Sequence, residues 1–227
     1  IYDDGTGVKY DGSFSGGSPA TSTASLDDDR TVSVNAPTVN EASDYVVFTV
    51  TGNSGQTASL RLVEETGTGK ANIDETQTLQ VWDGRAWVNY NPNNLPTFDA
   101  NGKIFVRVSI TAEQDAPYEG SETFKLEAQL SGQSTWASGT ATIKDDGTGV
   151  KYDGTFTSGS PTTSSSGLED DRILTVNNPT VNEGSPYAVF EVTGTAGDTA
   201  ALSLANASGG VSGRADLRSG EIGRAHV

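Results

Sequence analysis

Any chemistry in this chain rests on carboxylates. Glu41, Asp115, Glu119, Glu122, Asp145 and Asp146 all fall at the ends of short apolar runs that read as strands. Oxygen donors gathered at strand ends suit a hard divalent cation, which accepts about six to eight of them. They suit glycoside hydrolysis poorly, because that chemistry needs one carboxyl in an apolar pocket. The competing reading is that these acids solvate loop ends, although carboxylates converging without a cation repel one another.

Other chemistry is excluded by residue type. The single histidine, His226, lies in an atypical tail, so serine has no general base, and no Gly-x-Ser-x-Gly sequence occurs. Cysteine is absent, which removes thiolate ligands, thiol nucleophiles and disulfides. Gly67-Thr68-Gly69-Lys70 has a phosphate-loop texture, but Ala71 stands where the hydroxyl belongs. No EF-hand loop or glycine-rich nonapeptide array is present. The chain is therefore expected not to be an enzyme.

The 227 residues carry a formal charge of −16, with 30 acidic against 14 basic side chains. Such a chain offers no basic stripe to nucleic acid and is repelled by an anionic membrane surface. No apolar run approaches the roughly 18 to 20 residues that cross a bilayer, so direct membrane insertion is not expected.

Internal repetition organises the chain. Asp3 to Gly12 recurs letter for letter as Asp145 to Gly154, an offset of 142, and Asp3 to Leu62 matches Asp145 to Leu204 at 39 of 60 positions. A period this long indicates whole domains in series rather than solenoid units. Residues 1–4 end one repeat, 5–30 and 147–172 form Gly/Ser/Asp-rich linkers, 31–146 form a complete domain, and 173–220 begin a truncated second one. Glu221 to Val227 read as an adapter-derived tail. Flexible polar segments of this length span on the order of 25 to 30 Å. The recurrence of Tyr10 as Tyr152 and Phe14 as Phe156 also fits a partly docked segment, but recent duplication is the favoured explanation.

Within the complete domain, eight short runs alternate with turn signals: 31–34, 45–51, 57–63, 76–81, 86–89, 104–110, 123–130 and 135–143. They predict an all-β antiparallel sandwich. Ile104, Val106, Val108 and Ile110 alternate and form the expected core face. Asp83-Gly84 predicts a two-residue hairpin turn pairing Trp82 with Arg85 and Gln80 with Trp87. That register makes Trp82 and Trp87 diagonal neighbours outside, with Leu79, Val81, Ala86 and Val88 inside. The aromatic pair stabilises the hairpin or stacks on a sugar ring. Asp27-Asp28-Asp29 and its counterpart Glu169-Asp170-Asp171 read as a solvated charge run or as donors to a junction ion.

Val39-Asn40-Glu41, Val47 to Thr51, Asp115 to Phe124 and Gly139 to Asp146 together resemble Calx-beta domains, over residues 31–146. The resemblance implies an immunoglobulin-like sandwich with calcium at one end, near the junction with the next module. It carries the family's ligands onto Glu41, Asp115, Glu119, Asp145 and Asp146, with Glu122 matching the motif and Asp74 in a variable loop. In bacteria such domains occur as repeats of large surface or secreted proteins, many of them adhesins. The function expected is thus a calcium-binding spacer repeat of an extracellular, cell-surface protein. Its partners would be calcium ions and neighbouring repeats, with host or surface glycans met through other domains. The alternatives are a carbohydrate-binding accessory sandwich using Trp82, Trp87 and Tyr90, and a passive spacer without ligand.

Overall fold

The computed structural model describes residues 1–73, 75–115, 118–157 and 159–204. Two compact units divide at Asp171/Arg172. In chain order the strands are β1 (Lys9–Ser15), β2 (Ser18–Ser22), β3 (Ser33–Val34), β4 (Thr38–Asn40), β5 (Tyr45–Thr51), β6 (Ala58–Val63), β7 (Gln80–Trp82), β8 (Trp87–Asn89), β9 (Lys103–Ser109), β10 (Ser121–Leu130), β11 (Ala137–Lys144), β12 (Lys151–Thr157) and β13 (Ser160–Ser164). The second unit adds β14 (Leu174–Val176) and β15 (Val192–Gly194).

The first unit contains an all-β, immunoglobulin-like sandwich. One sheet runs β4-β11-β10-β6 and the other β3-β5-β9-β7-β8, all antiparallel except the β4/β11 pair. Alternating apolar residues put one face of each strand inside. Val46, Phe48 and Val50 of β5 and Ile104, Val106 and Val108 of β9 bury against Phe124, Leu126 and Ala128 of β10. Phe48 meets Phe124 edge-on at 5.7 Å. The predicted core face of Ile104, Val106, Val108 and Ile110 is fully internal. β4 escaped the sequence because three residues, Thr38 to Asn40, are too few to display a period, and only their partner β11 makes them a strand.

The β7/β8 hairpin departs from the expected register. Gln80 pairs with Asn89, Val81 with Val88 and Trp82 with Trp87. Asp83 is the cause: its Oδ1 accepts the N–H groups of Arg85 and Ala86 at 2.8 and 2.7 Å, and its own N–H bonds the Ala86 carbonyl. The side chain thereby rolls residues 83–86 into a four-residue turn. Leu79 and Val81 remain inside, but Ala86 and Val88 are exposed.

Neither segment expected to be a flexible linker is unstructured. β1 pairs with β2 and β12 with β13, each with a register shift between the tyrosine and the phenylalanine. The shift falls at Asp11-Gly12 in one hairpin and Asp153-Gly154 in the other. Gly12 and Gly154 have φ of 82° and 80°, and the aspartate accepts the N–H two residues on at 2.8 Å in both. The second hairpin lies on the sandwich, where Tyr152 packs against the core. Phe156 stacks on Trp82 with ring centroids 4.3 Å apart and interplanar angle 2°, and meets Phe105 edge-on at 5.0 Å. This cover explains why Val47 and Phe105 are buried although they point away from the core.

In the second unit, β14 and β15 form a two-stranded sheet. Phe190, the repeat of Phe48, is 51% exposed where Phe48 is 0%.

Candidate metal centre

Strand pairing brings the acids together. The parallel register of β4 and β11 sets Asn40 beside Lys144, so Glu41 and Asp145 leave their strands at the same end, and the Glu41 N–H bonds the Lys144 carbonyl at 2.9 Å. Glu122, second in β10, pairs with Ile143. Glu113 and Asp115 follow β9, whose last residue pairs with Tyr45. One end of the sandwich thus collects carboxylates from four strand ends.

Glu41, Glu113 and Asp145 are buried. Glu41 Oε1 accepts the Asp115 N–H at 3.0 Å, Asp145 Oδ2 accepts the Glu119 N–H at 2.9 Å, and Glu113 Oε1 accepts the Asn72 N–H at 3.0 Å. Burial pushes the Glu41 carboxyl up to about 7, and the charges of Asp145, Glu169 and Asp171 add to it against the bond from Asp115. Glu122 is pushed up to about 8, first by burial, then by the Glu113 carboxyl beside it and the charges of Glu119 and Glu41. Among the described residues, Oε2 of Glu113 and Oδ2 of Asp171 are buried with no hydrogen-bond partner. Buried acceptors without donors carry a desolvation penalty that a cation would offset.

Of the expected ligands, Glu41, Glu119, Glu122 and Asp145 share this electrostatic neighbourhood. Asp115 is exposed and meets Glu41 through its backbone N–H. Asp146 turns its carboxylate to the next turn, accepting the N–H of Thr148 at 3.1 Å and its hydroxyl. Asp74 and His226 lie outside the described residues.

Glu113 joins the group without having been singled out as a ligand, and Glu169 and Asp171 join it from the run read alternatively as donors to a junction ion. Glu113 precedes the motif carboxylates by two residues, and Glu169 and Asp171 sit in the charge run that read chiefly as solvated. Glu169 and Asp171 arrive because the described residues between 147 and 171 fold back on the sandwich, where Asn40 holds them. Its Nδ2 donates to the carbonyls of Lys144, Thr148 and Glu169 at 3.1, 3.1 and 3.0 Å, and its Oδ1 accepts the Glu169 N–H at 2.8 Å. The Asn40 N–H bonds the Val150 carbonyl at 2.9 Å. Asp171 N–H reaches Asp145 Oδ1 at 3.4 Å.

A second acidic group is tighter. Carboxylate oxygens of Asp3, Asp27 and Asp29 lie within 4.8 Å of one another, all three residues exposed, and among the described residues no other three acids come this close. By the repeat they correspond to Asp145, Glu169 and Asp171.

The aromatic alternative site is engaged internally. Trp82 and Trp87 meet at 5.6 Å, and Phe156 covers Trp82. Arg107 lies over the Trp87 ring at 4.8 Å, and the Tyr90 hydroxyl accepts the Leu60 N–H at 3.0 Å.

No protein-family model matches the chain, and no curated protein does. Among solved structures it is similar to the periplasmic chaperone SfaE, at 11% identity over 50% of this chain and 56% of that one, TM-score 0.32. It is similar to AggA, the major subunit of aggregative adherence fimbriae type I from Escherichia coli, at 16% identity over 51% of this chain and 93% of that one, TM-score 0.31. It is also similar to the Pseudomonas aeruginosa CupB2 chaperone, at 12% identity over 48% and 52%, TM-score 0.30. The chain spans about half the length of the two chaperones, 56% and 52%.

Proposed function

We infer that this chain is a calcium-binding spacer repeat of a large extracellular, adhesin-like protein, with no catalytic role. The observation carrying the ion is the pair of buried oxygens, Glu113 Oε2 and Asp171 Oδ2, that find no hydrogen-bond partner among the described residues, within a group whose Glu41 and Glu122 carboxyls titrate near neutral pH. An all-oxygen donor set of this kind fits a hard cation. Glu41, Glu113, Glu122, Asp145 and Asp171 would hold it, and Glu119 stands beside them. The ion would couple the end of the sandwich to the segment that leads to the next repeat. The spacer role and the surface location rest on the tandem repetition and on the Calx-beta resemblance.

Thermal melting in excess chelator and in millimolar calcium tests this reading. An ion that binds only the folded chain raises its melting temperature. The shift should vanish in Glu41→Gln and Glu122→Gln, and unchanged melting of the unsubstituted chain in calcium would sink the proposal. A sugar ring at Trp82 would have to displace Phe156, so carbohydrate binding is the weaker reading.

A further inference from the structure

Three features of residues 1–29 are counterparts of parts that, one repeat later, are in use. Tyr10 and Phe14 are 66% and 75% exposed, whereas Tyr152 and Phe156 are seated on the sandwich. A groove of about 710 Å³ is lined by Thr6, Gly7, Val8 and Asp27 among others. Their counterparts Thr148, Val150 and Glu169 supply the carbonyls that hold Asn40, and Gly149 approaches Asn40 N so closely that a Cβ would stand 2.7 Å from it. The triad Asp3, Asp27 and Asp29 corresponds to Asp145, Glu169 and Asp171, which complete the acidic group around Glu41.

The backbone of the leading segment is already in its docked form. Gly5 N–H bonds the Asp27 carbonyl at 2.9 Å as Gly147 bonds Glu169 at 2.9 Å, and Lys9 Nζ reaches the Ser25 carbonyl at 3.1 Å as Lys151 reaches Gly167 at 3.2 Å. Arg30 ties this segment to the opposite end of its own sandwich from the acidic group, donating to the Asp4 and Ser131 carbonyls at 2.8 and 3.2 Å.

We propose that residues 3–29 are a preformed receptor for a second copy of residues 31–144, standing before them in series, with Asp3 and Asp4 in the places of Asp145 and Asp146. The Val39-Asn40-Glu41 end of that copy fills the groove. Its Trp82, Trp87 and Phe105 rings take Phe14, its Ser43 and Val47 take Tyr10, and its acidic end meets Asp3, Asp27 and Asp29. Each hairpin therefore belongs, in packing, to the sandwich that precedes it, and the boundary between modules falls just before the arginine at position 30 or 172 rather than within a flexible linker. This pairing needs no ion and goes beyond the calcium reading.

The experiment joins a copy of residues 31–144 directly before Asp3 of the intact chain, which restores the repeat spacing, and works in chelator so that calcium has no part in the result. Amide hydrogen exchange across residues 9–22 is expected to slow on the order of tenfold or more relative to the unextended chain. Equal exchange in the two chains overturns the proposal. Phe14→Ala supplies the second arm. It should lower the melting temperature of the extended chain while leaving the unextended one unchanged, and no change in either also overturns it.

Discussion

The hairpins at 9–22 and 151–164 are near-identical in sequence and in local geometry, yet one is solvated and the other is part of a domain. Both carry the Asp-Gly register shift, both place a glycine at positive φ there, and both close with the same lysine-to-carbonyl bond. They differ in what lies opposite. Tyr152 and Phe156 face Ser43, Val47, Trp82 and Phe105, whereas Tyr10 and Phe14 face solvent. Local sequence is enough to make the hairpin, because turn chemistry and short-range bonds need no partner. Burial is decided by the neighbouring surface.

The largest test of that contrast removes both rings. Tyr152→Ala with Phe156→Ala should destabilise the sandwich by about 4 kcal/mol, since each truncation strips partly buried aromatic area and uncovers Val47 and Phe105. Tyr10→Ala with Phe14→Ala should stay within about 0.5 kcal/mol in the same chain, as exposed substitutions do. Urea unfolding of the two variants measures both, and equal losses would mean that the docked contacts contribute nothing.

A smaller contrast uses glycine. Gly149 has φ of 96° and a Cβ there would meet Asn40 N and Val39 C at 2.7 Å, both backbone atoms. Gly7 has φ of 95°, but its Cβ would touch only Tyr2 Cδ2 at 3.5 Å, an ordinary contact. Gly7→Ala therefore costs about 1 to 2 kcal/mol for the left-handed backbone alone. Gly149→Ala costs more, about 3 kcal/mol, because backbone must also move. If the two variants unfold at the same urea concentration, steric fit at Asn40 is not what seats the segment.

The same division between local and distant causes governs what the sequence discloses. Alternation in β9 and the strand-end position of Glu41, Glu122 and Asp145 are periodic or motif signals, and both are legible. The four-residue turn at Asp83 turned on whether a side chain or a backbone carbonyl caps the turn, a choice the Asp-Gly pair leaves open. Docking of residues 147–171 was illegible for a deeper reason. A polar, glycine-rich segment has the composition of a flexible linker, and its few apolar contacts, Tyr152 and Phe156, look like chance survivors of duplication until Trp82 is seen beneath them. Without the dock, the junction-ion reading of Glu169 and Asp171 could not be preferred over a solvated charge run, because their place near Asp145 depends on Asn40 bonds to residues 129 and 108 positions away.

The mildest test sets the two acidic groups against each other through pH. Glu41 and Glu122 carry folded-state values of about 7 and about 8 against 4.5 for an ordinary glutamate, both raised chiefly by burial. A raised carboxyl binds its proton more tightly in the folded chain. That stability is fully present below about pH 4.5 and is lost as pH rises through 7 to 8. In chelator, the melting temperature should therefore fall by several degrees between pH 5 and pH 8, and Glu122→Gln should flatten the profile by removing one titrating group. Asp3→Asn, in the exposed triad, should leave the profile unchanged in slope, because solvent screens charges that the dock has not covered. Calcium at pH 8 should restore the lost degrees and release on the order of one proton per chain as it binds. A flat profile in the unsubstituted chain would mean that the buried group relaxes open in solution, and the contrast between covered and uncovered acids would then have no energetic content.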